Sequence, residues 1–473
     1  MSNQKASGLF VLFGGTGDLA EGALLPAFHK LYRQGKLSEH FALVAASRSE
    51  MSNEEYRDLA REAVENTDTE DSLADDFFQH LFYQATDNTE LEDFEQLSEA
   101  IQKAAKEFEV TDSFVYYYSI PPSVFDETTT NLKESGILDL EGNHRVVVEK
   151  PFGEDSESAE EYYGLLKNAF NEDEIYLVDH YLGINAVQKM MSLRYYNPAL
   201  DGIWNNDYIE HVQISLPENF SIGTRGAFYD ENGALLDMFQ NHLLQILSTV
   251  AMDVPDELTA EKLNKQKLSL LKNITSFTKD EVEQKVVRGQ YKGYREEEEV
   301  EKDSLTETYV AIEVSIDSER WRGVPFYVRT GKCLEENHNT VDVILRSREN
   351  TTFTEPNRIT FSIQPETGIS MILNQADSAQ TKPVALHPEA GTSEEVDLPE
   401  AYETILYDVL QGDRMHFTTY AQVKEQWRIT DSIRSSWKEL SDPDFPNYEK
   451  GEVGPKEAEE LLSKSGYKWL YRT

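Results

Sequence analysis

The sequence predicts an α/β fold with a doubly wound parallel sheet, followed by a β+α domain built on a large, mainly antiparallel sheet. Three observations predict it. Short apolar runs alternate with charged amphipathic helices in the first part of the chain. A glycine-rich turn joins the first run to the first helix. Beyond residue 200, apolar segments alternate with polar residues at period two and adjoin one another without intervening helices. Strands alternating with helices indicate parallel pairing, whereas adjoining period-two strands indicate antiparallel pairing with one covered face.

In chain order, Leu9 to Phe13 is a short apolar run, Leu19 to Leu37 has helical spacing with Gly35 near its end, and Phe41 to Ala46 is apolar again. This is a βαβ opening. Further strands are predicted at Phe114 to Tyr118, Val146 to Val148 and Tyr176 to Val178, with helices over Glu90 to Phe108 and Ser156 to Phe170. In the second part, Tyr208 to Leu216, Glu307 to Ile316, Thr340 to Leu345, Arg358 to Ile363 and Ile369 to Leu373 read as strands. Helical spacing returns in Ala401 to Leu410 and Ala421 to Leu440, the acidic run Glu296 to Glu301 reads as a solvated loop, and the last thirty residues read as turn-rich. The expected division is a first domain over 1–178 and a second over 179–473.

At 473 residues the chain exceeds what one hydrophobic core usually serves. No apolar run reaches bilayer-spanning length, and Met1-Ser2-Asn3-Gln4-Lys5 lacks the pattern of a secretory signal, so no membrane partner and a cytoplasmic location are expected. The single cysteine, Cys333, can form no internal disulfide and has no neighbours at metal-ligand spacing, so no metal is expected. The formal net charge of −43 repels nucleic acid and acidic lipid. A phosphorylated ligand would meet the same repulsion, so its site must supply local cations, helix N-termini or backbone N–H groups.

The turn after the first run reads Gly14-Gly15-Thr16-Gly17-Asp18-Leu19. Glycines let the backbone turn tightly and approach a pyrophosphate, which then sits over the helix N-terminus, and the strand-turn-helix setting marks a Rossmann-type dinucleotide-binding domain. The second strand ends Ala46-Ser47-Arg48 rather than in the Asp or Glu that holds an NAD ribose. An arginine there suits a 2′-phosphate, so NADP is the expected cofactor.

Three further segments concentrate groups able to move protons or hold phosphates: Glu149-Lys150-Pro151-Phe152-Gly153, Val178-Asp179-His180-Tyr181-Leu182-Gly183 and Asp237-Met238-Phe239-Gln240-Asn241-His242. With the glycine loop, Val324 to Lys332 and Pro399-Glu400-Ala401-Tyr402-Glu403, they make the chain resemble the bacterial-type glucose-6-phosphate dehydrogenases from about residue 8 to the C-terminus. The resemblance implies oxidation of glucose 6-phosphate at C1 to the 6-phosphogluconolactone with hydride transfer to NADP, the first step of the oxidative pentose phosphate pathway. It implies His242 as general base and Asp179 as the carboxylate that orients its ring. It places His180 and Tyr181 on the sugar phosphate, Glu218 and Asp237 on sugar hydroxyls, Lys332 in the substrate site, and Lys150 where cofactor and substrate meet. Lys150 thus joins Gly14 to Leu19 and Arg48 on the cofactor side, and the Lys150–Pro151 bond is expected to be cis. Thr16 and Arg48 also resemble dual-cofactor members, so NAD stays open. A homodimer formed through the large sheet is expected.

Read without the resemblance, His242 before Leu243-Leu244 has the setting of a core histidine, and Lys332 that of a solvated turn lysine. The chain also departs from the family. Ile184 stands where the family has a phosphate-binding lysine, Glu21-Gly22-Ala23 replaces a lysine-rich triplet, and Asn337 replaces another cation. These changes leave two alternatives open: a dehydrogenase for a different or non-phosphorylated sugar, and a non-catalytic paralogue.

Overall fold

The computed structural model of the protein describes residues 5–67, 74–348, 355–377, 380–386 and 400–471; Met1 to Gln4 and Pro399 lie outside them. Contacts group the chain into two compact units, one of Met1–Gly183, Thr259–Glu261 and Pro399–Val423, the other of Ile184–Leu258, Lys262–Leu398 and Lys424–Thr473.

In the first unit six strands, β1 (Ala6–Phe13), β2 (Leu37–Ser47), β3 (Leu81–Ala85), β4 (Ser113–Tyr118), β5 (Asn143–Val148) and β6 (Ile175–Leu177), form a sheet ordered β3-β2-β1-β4-β5-β6. Every pairing is parallel. This is the predicted doubly wound sheet, with its topological switch between β1 and β4. Sequence reading missed β3, whose Leu81-Phe82-Tyr83 is too short to show a period. Strand β1 is apolar on both faces because helices cover both. The helical stretch read over Leu19 to Leu37 is shorter, a π-helical turn at Ala20–Leu24 running into an α-helix at Leu25–Arg33, and Leu37 already opens β2.

Residues far along the chain complete this core. The helix Ala401–Gln411 buries Ile405, Leu406, Val409 and Leu410 with Phe10, Leu12 and Tyr117 of the sheet. A Cβ on Gly183 would lie 2.4 Å from the Ala401 carbonyl oxygen, so only glycine lets helix and turn approach so closely. At the sheet edge the Thr418 N–H donates to the Leu177 carbonyl at 3.1 Å.

In the second unit eight strands are ordered β14-β13-β12-β11-β7-β10-β9-β8. They are β7 (Ile209–Pro217), β8 (Val286–Gly289), β9 (Tyr309–Val314), β10 (Phe326–Gly331), β11 (Asn339–Leu345), β12 (Arg358–Gln364), β13 (Gly368–Asp377) and β14 (Gln380–Leu386). The sheet is mainly antiparallel, as predicted, but β7 and β10 run parallel. The long connection between them, which carries the helices at Gly226–Ala234, Leu244–Ala251 and Ala260–Asn273, permits that direction.

The expectation of a single covered face needs correction: β7, β10 and β11 are buried nearly throughout. Their alternating polar residues face an interior network, not water. Arg329 pairs with Glu336 at 2.8 Å, both buried, beneath the rings of Trp469 and Tyr471, and Thr360 donates to Asp342 at 2.6 Å. Buried polar groups persist only when so partnered. The turn-rich reading of the C-terminus also overlooked an eight-residue helix, Lys456–Ser463, whose Ala458, Leu461 and Leu462 join a tyrosine-rich core cluster. Among the described residues no helix is long and apolar enough to cross a membrane, and no cluster of His, Cys, Asp and Glu could hold a metal ion.

Candidate active site

The glycine loop leaves β1 at the carboxyl edge of the first sheet. Gly14 has φ +80°, and a Cβ there would lie 2.1 Å from the Ser119 carbonyl oxygen; on Gly15 it would lie 2.6 Å from Ala45 Cβ. Two strand ends therefore hold the loop, and only glycine fits between them. The Gly14 N–H donates to the Ala46 carbonyl at 2.8 Å and the Thr16 N–H to Ser47 Oγ at 3.3 Å, which ties the loop to the end of β2. Arg48 follows on an exposed turn. Helical winding starts at Asp18, and the Glu21 N–H already donates to the Gly17 carbonyl at 3.0 Å, so a phosphate would meet the helix start ahead of Glu21. Glu21 works against anions there: burial, with Asp18 and Glu62 nearby, raises its carboxyl above the usual range. Glycine loop, helix start and arginine together fit a phosphorylated dinucleotide.

At the end of β5, Glu149 is shielded from water, which raises its pKa, while hydrogen bonds from the Tyr117 and Tyr402 hydroxyls oppose the rise. Lys150 follows, and the Lys150–Pro151 bond is cis, as the resemblance implies. Beyond β6, Asp179 is buried and its Oδ1 accepts the Tyr181 N–H at 3.1 Å, shaping the 3₁₀ turn His180–Gly183. The His180 ring lies 5.1 Å from that of Tyr181 and stacks on that of Tyr402 at 5.8 Å. The first unit thus gathers Asp179, His180 and Tyr181 beside Tyr402. The neighbouring Glu403 is buried and pairs with Lys30 at 3.0 Å. Tyr402 and Glu403 therefore have physical roles that sequence reading left unassigned, because their partners lie far away in the chain.

In the second unit, Leu235–Leu243 is a π-helix that carries Asp237 and His242, both buried. Its i→i+5 pattern stacks position 242 over position 237, where α-helical winding would turn them apart. Two groups of Glu307 anchor its start: the carbonyl accepts the Ala234 N–H and Oε1 the Leu235 N–H, each at 2.9 Å. Burial pushes the Glu307 carboxyl up to about 7.

Glu218 and Lys332 leave the parallel strands β7 and β10 side by side, with the Glu218 N–H donating to the Gly331 carbonyl at 2.9 Å. Their side chains pair at 2.6 Å, and Lys332 Nζ stands 4.9 Å from the Phe220 ring and 5.6 Å from the Tyr229 ring. Lys332 is accordingly buried, not a solvated turn lysine. Asp237 pairs with Arg225 at 3.3 Å. Burial, then Asp237 and Glu218, hold the Tyr229 hydroxyl well above its ordinary pKa. The structure therefore gathers Glu218, Asp237 and Lys332 around Tyr229. Sequence reading missed Tyr229 and Arg225, since an aromatic at helical spacing looks like core and an arginine beside glycine like surface.

Of the departures, Ile184 is buried at the start of the helix Asn185–Tyr196, Ala23 is half-buried within the π turn, and Asn337 is exposed.

Comparison with known proteins covers the whole chain. Residues 11–189 match the family model for the glucose-6-phosphate dehydrogenase NAD binding domain, and residues 191–470 that for the C-terminal domain. Glucose-6-phosphate 1-dehydrogenase of Bacillus subtilis (strain 168) is 35% identical, with 99% of each chain covered; that of Leuconostoc mesenteroides is 33% identical over 98% of each. The crystal structure of the Mycobacterium avium enzyme superposes with TM-score 0.84 at 33% identity over 99% of both chains. A glucose-6-phosphate dehydrogenase solved in complex with its substrate superposes with TM-score 0.89 at 29% identity over the full length of both. With both halves matched by the family's two models and relatives at 33–35% identity along the whole length, the chain belongs to the glucose-6-phosphate dehydrogenase family.

Proposed function

We propose that the protein oxidises glucose 6-phosphate at C1 to the 6-phosphogluconolactone, with NADP as hydride acceptor. The observation that carries this reading is full-length superposition on a family member solved with glucose 6-phosphate. When bound, NADP supplies the nicotinamide that takes the hydride. Gly14, Gly15, Thr16, Gly17, Asp18 and Leu19 would hold its pyrophosphate, with Arg48 on the 2′-phosphate and Lys150 at the border with the sugar. In this reading His242 takes the C1 hydroxyl proton, and Asp179 fixes its tautomer and steadies the imidazolium. His180 and Tyr181 hold the phosphate, while Glu218, Asp237 and Lys332 orient the sugar hydroxyls. The pairing of Lys332 with Glu218 supports that last role, because a buried ammonium held against a half-buried carboxylate presents fixed donors and acceptors.

The working division is a dinucleotide domain over 1–178 and a substrate and dimerisation domain over 179–473. Family likeness supports a homodimer formed through the large sheet, and Leu373 on β13 is exposed. One buried cysteine, with no partner for a disulfide, suits the reducing cytoplasm. The test is reduction of NADP and of NAD by the purified protein with glucose 6-phosphate and with glucose. Turnover with strong preference for the phosphate ester, and loss of that turnover in His242→Asn, is the expected result; equal turnover of free glucose would overturn it.

A further inference from the structure

The turn that carries Arg48 has an unusual support. The carbonyls on either side of it, those of Ser47 and Ser49, converge on one group, the Tyr83 hydroxyl, at 3.1 and 2.5 Å. A phenol has a single proton, so the shorter bond, to Ser49, takes most of it. Ser47 is held from two further sides, its carbonyl by the Thr86 N–H at 2.9 Å and its Oγ by the Thr16 N–H at 3.3 Å.

Tyr83 is itself fixed. It lies buried on β3, its N–H donates to Asn53 Oδ1 at 2.7 Å, and its ring packs 5.3 Å from that of Tyr56. The Tyr56 hydroxyl in turn donates to the Gly15 carbonyl at 3.1 Å. Two packed rings therefore brace the two loops of the cofactor site, one hydroxyl to each. Burial raises the pKa of both hydroxyls, so both remain donors at neutral pH.

Arg48 is exposed and feels a neighbouring carboxylate, Asp87, which is held below its usual range first by the Thr89 N–H and hydroxyl and to a lesser degree by Arg48. A long, mobile guanidinium gains little selectivity for a 2′-phosphate unless its backbone is already in place.

We propose that Tyr83 is a positioning residue that sets the preference for NADP over NAD by fixing the backbone on both sides of Arg48. It touches no cofactor atom in this account and acts through Arg48. The proposal rests on the reading that Arg48 meets the 2′-phosphate.

The test is fluorescence titration of the full chain with NADPH and with NADH, which needs no turnover, on wild type, Tyr83→Phe, Arg48→Ala, the double variant and Tyr56→Phe. Removing one hydroxyl should weaken NADPH binding in Tyr83→Phe by roughly threefold to tenfold, the range of one net hydrogen bond, and leave NADH within twofold. In the Arg48→Ala background the same change should no longer alter the NADPH/NADH ratio. Tyr56→Phe, which frees only the Gly15 carbonyl, should weaken both nucleotides alike. An unchanged ratio in Tyr83→Phe, where Arg48→Ala does lower it, would overturn the proposal and leave the Arg48 reading standing. An unchanged ratio in Arg48→Ala would overturn that reading and the proposal with it. Equal loss of NADPH and NADH in Tyr83→Phe would reduce Tyr83 to general support of the domain and also overturn it.

Discussion

Replacing Glu307 by Gln should make the protein more stable at alkaline pH and leave it nearly unchanged in mild acid. Glu307 is buried, and its carboxyl titrates in the folded chain at about 7 instead of the ordinary 4.5, with desolvation the leading cause. For an acid whose folded pKa is raised, the neutral form favours the fold. Stability is therefore fully present below 4.5 and is lost as pH rises through about 7. The raised carboxyl corresponds to roughly 2–3 kcal/mol of stability lost between pH 5 and pH 8. Glutamine imitates the protonated acid, since its amide oxygen can still accept the Leu235 N–H at the start of the π-helix. The assay is thermal unfolding of both proteins at pH 5 and pH 8. At roughly 2.1 cal/mol/K per residue over 473 residues, the variant should gain about 2–3 °C on wild type between the two pH values if the chain unfolds together. A constant difference between the two proteins across that range would refute the reasoning, because it would mean that the carboxyl is ionised to the same extent in the folded and unfolded chains.

Other outcomes follow from the two units. His242→Asn should lower kcat by roughly 10²–10⁴-fold and leave the KM for glucose 6-phosphate within a few-fold, as steady-state kinetics would show. Ile184→Lys should restore a charge-assisted contact of about 1.5–3 kcal/mol and lower the KM for glucose 6-phosphate at least about tenfold, with no change for free glucose. Gly14→Ala places a Cβ 2.1 Å from a backbone oxygen at a positive φ, so NADPH titration should show binding lost before the second unit loses any stability.

Most of the first unit was legible because its signals are local: apolar strands, amphipathic helices and a glycine loop standing together in sequence. The candidate residues were named from their motifs, and the structure sets Asp179 and His180 just beyond β6 and His242 on the π-helix. What escaped depends on distant partners. Lys332 looked solvated because Glu218 and Tyr229, which bury it, arrive from other elements. The polar alternation in β7 and β11 looked like a wetted face because no local rule reveals the buried network around them, in which Arg329 of the neighbouring β10 meets Glu336 beneath Trp469 and Tyr471. Tyr83 went unread with the rest of β3, and only the turn folded over its hydroxyl distinguishes it.

The helix Ala401–Gln411 bears on how the protein is made. Ile405, Leu406, Val409 and Leu410 fill the same core as strands that leave the ribosome hundreds of residues earlier. The first six strands can pair as they emerge, yet their apolar surface stays uncapped until translation has passed residue 411. Until then part of the sheet's apolar surface stays open, the kind of exposure that makes partly folded chains prone to aggregate. A chain released early, even one carrying the entire glycine loop and Arg48, would have the cofactor residues without a finished core to hold them.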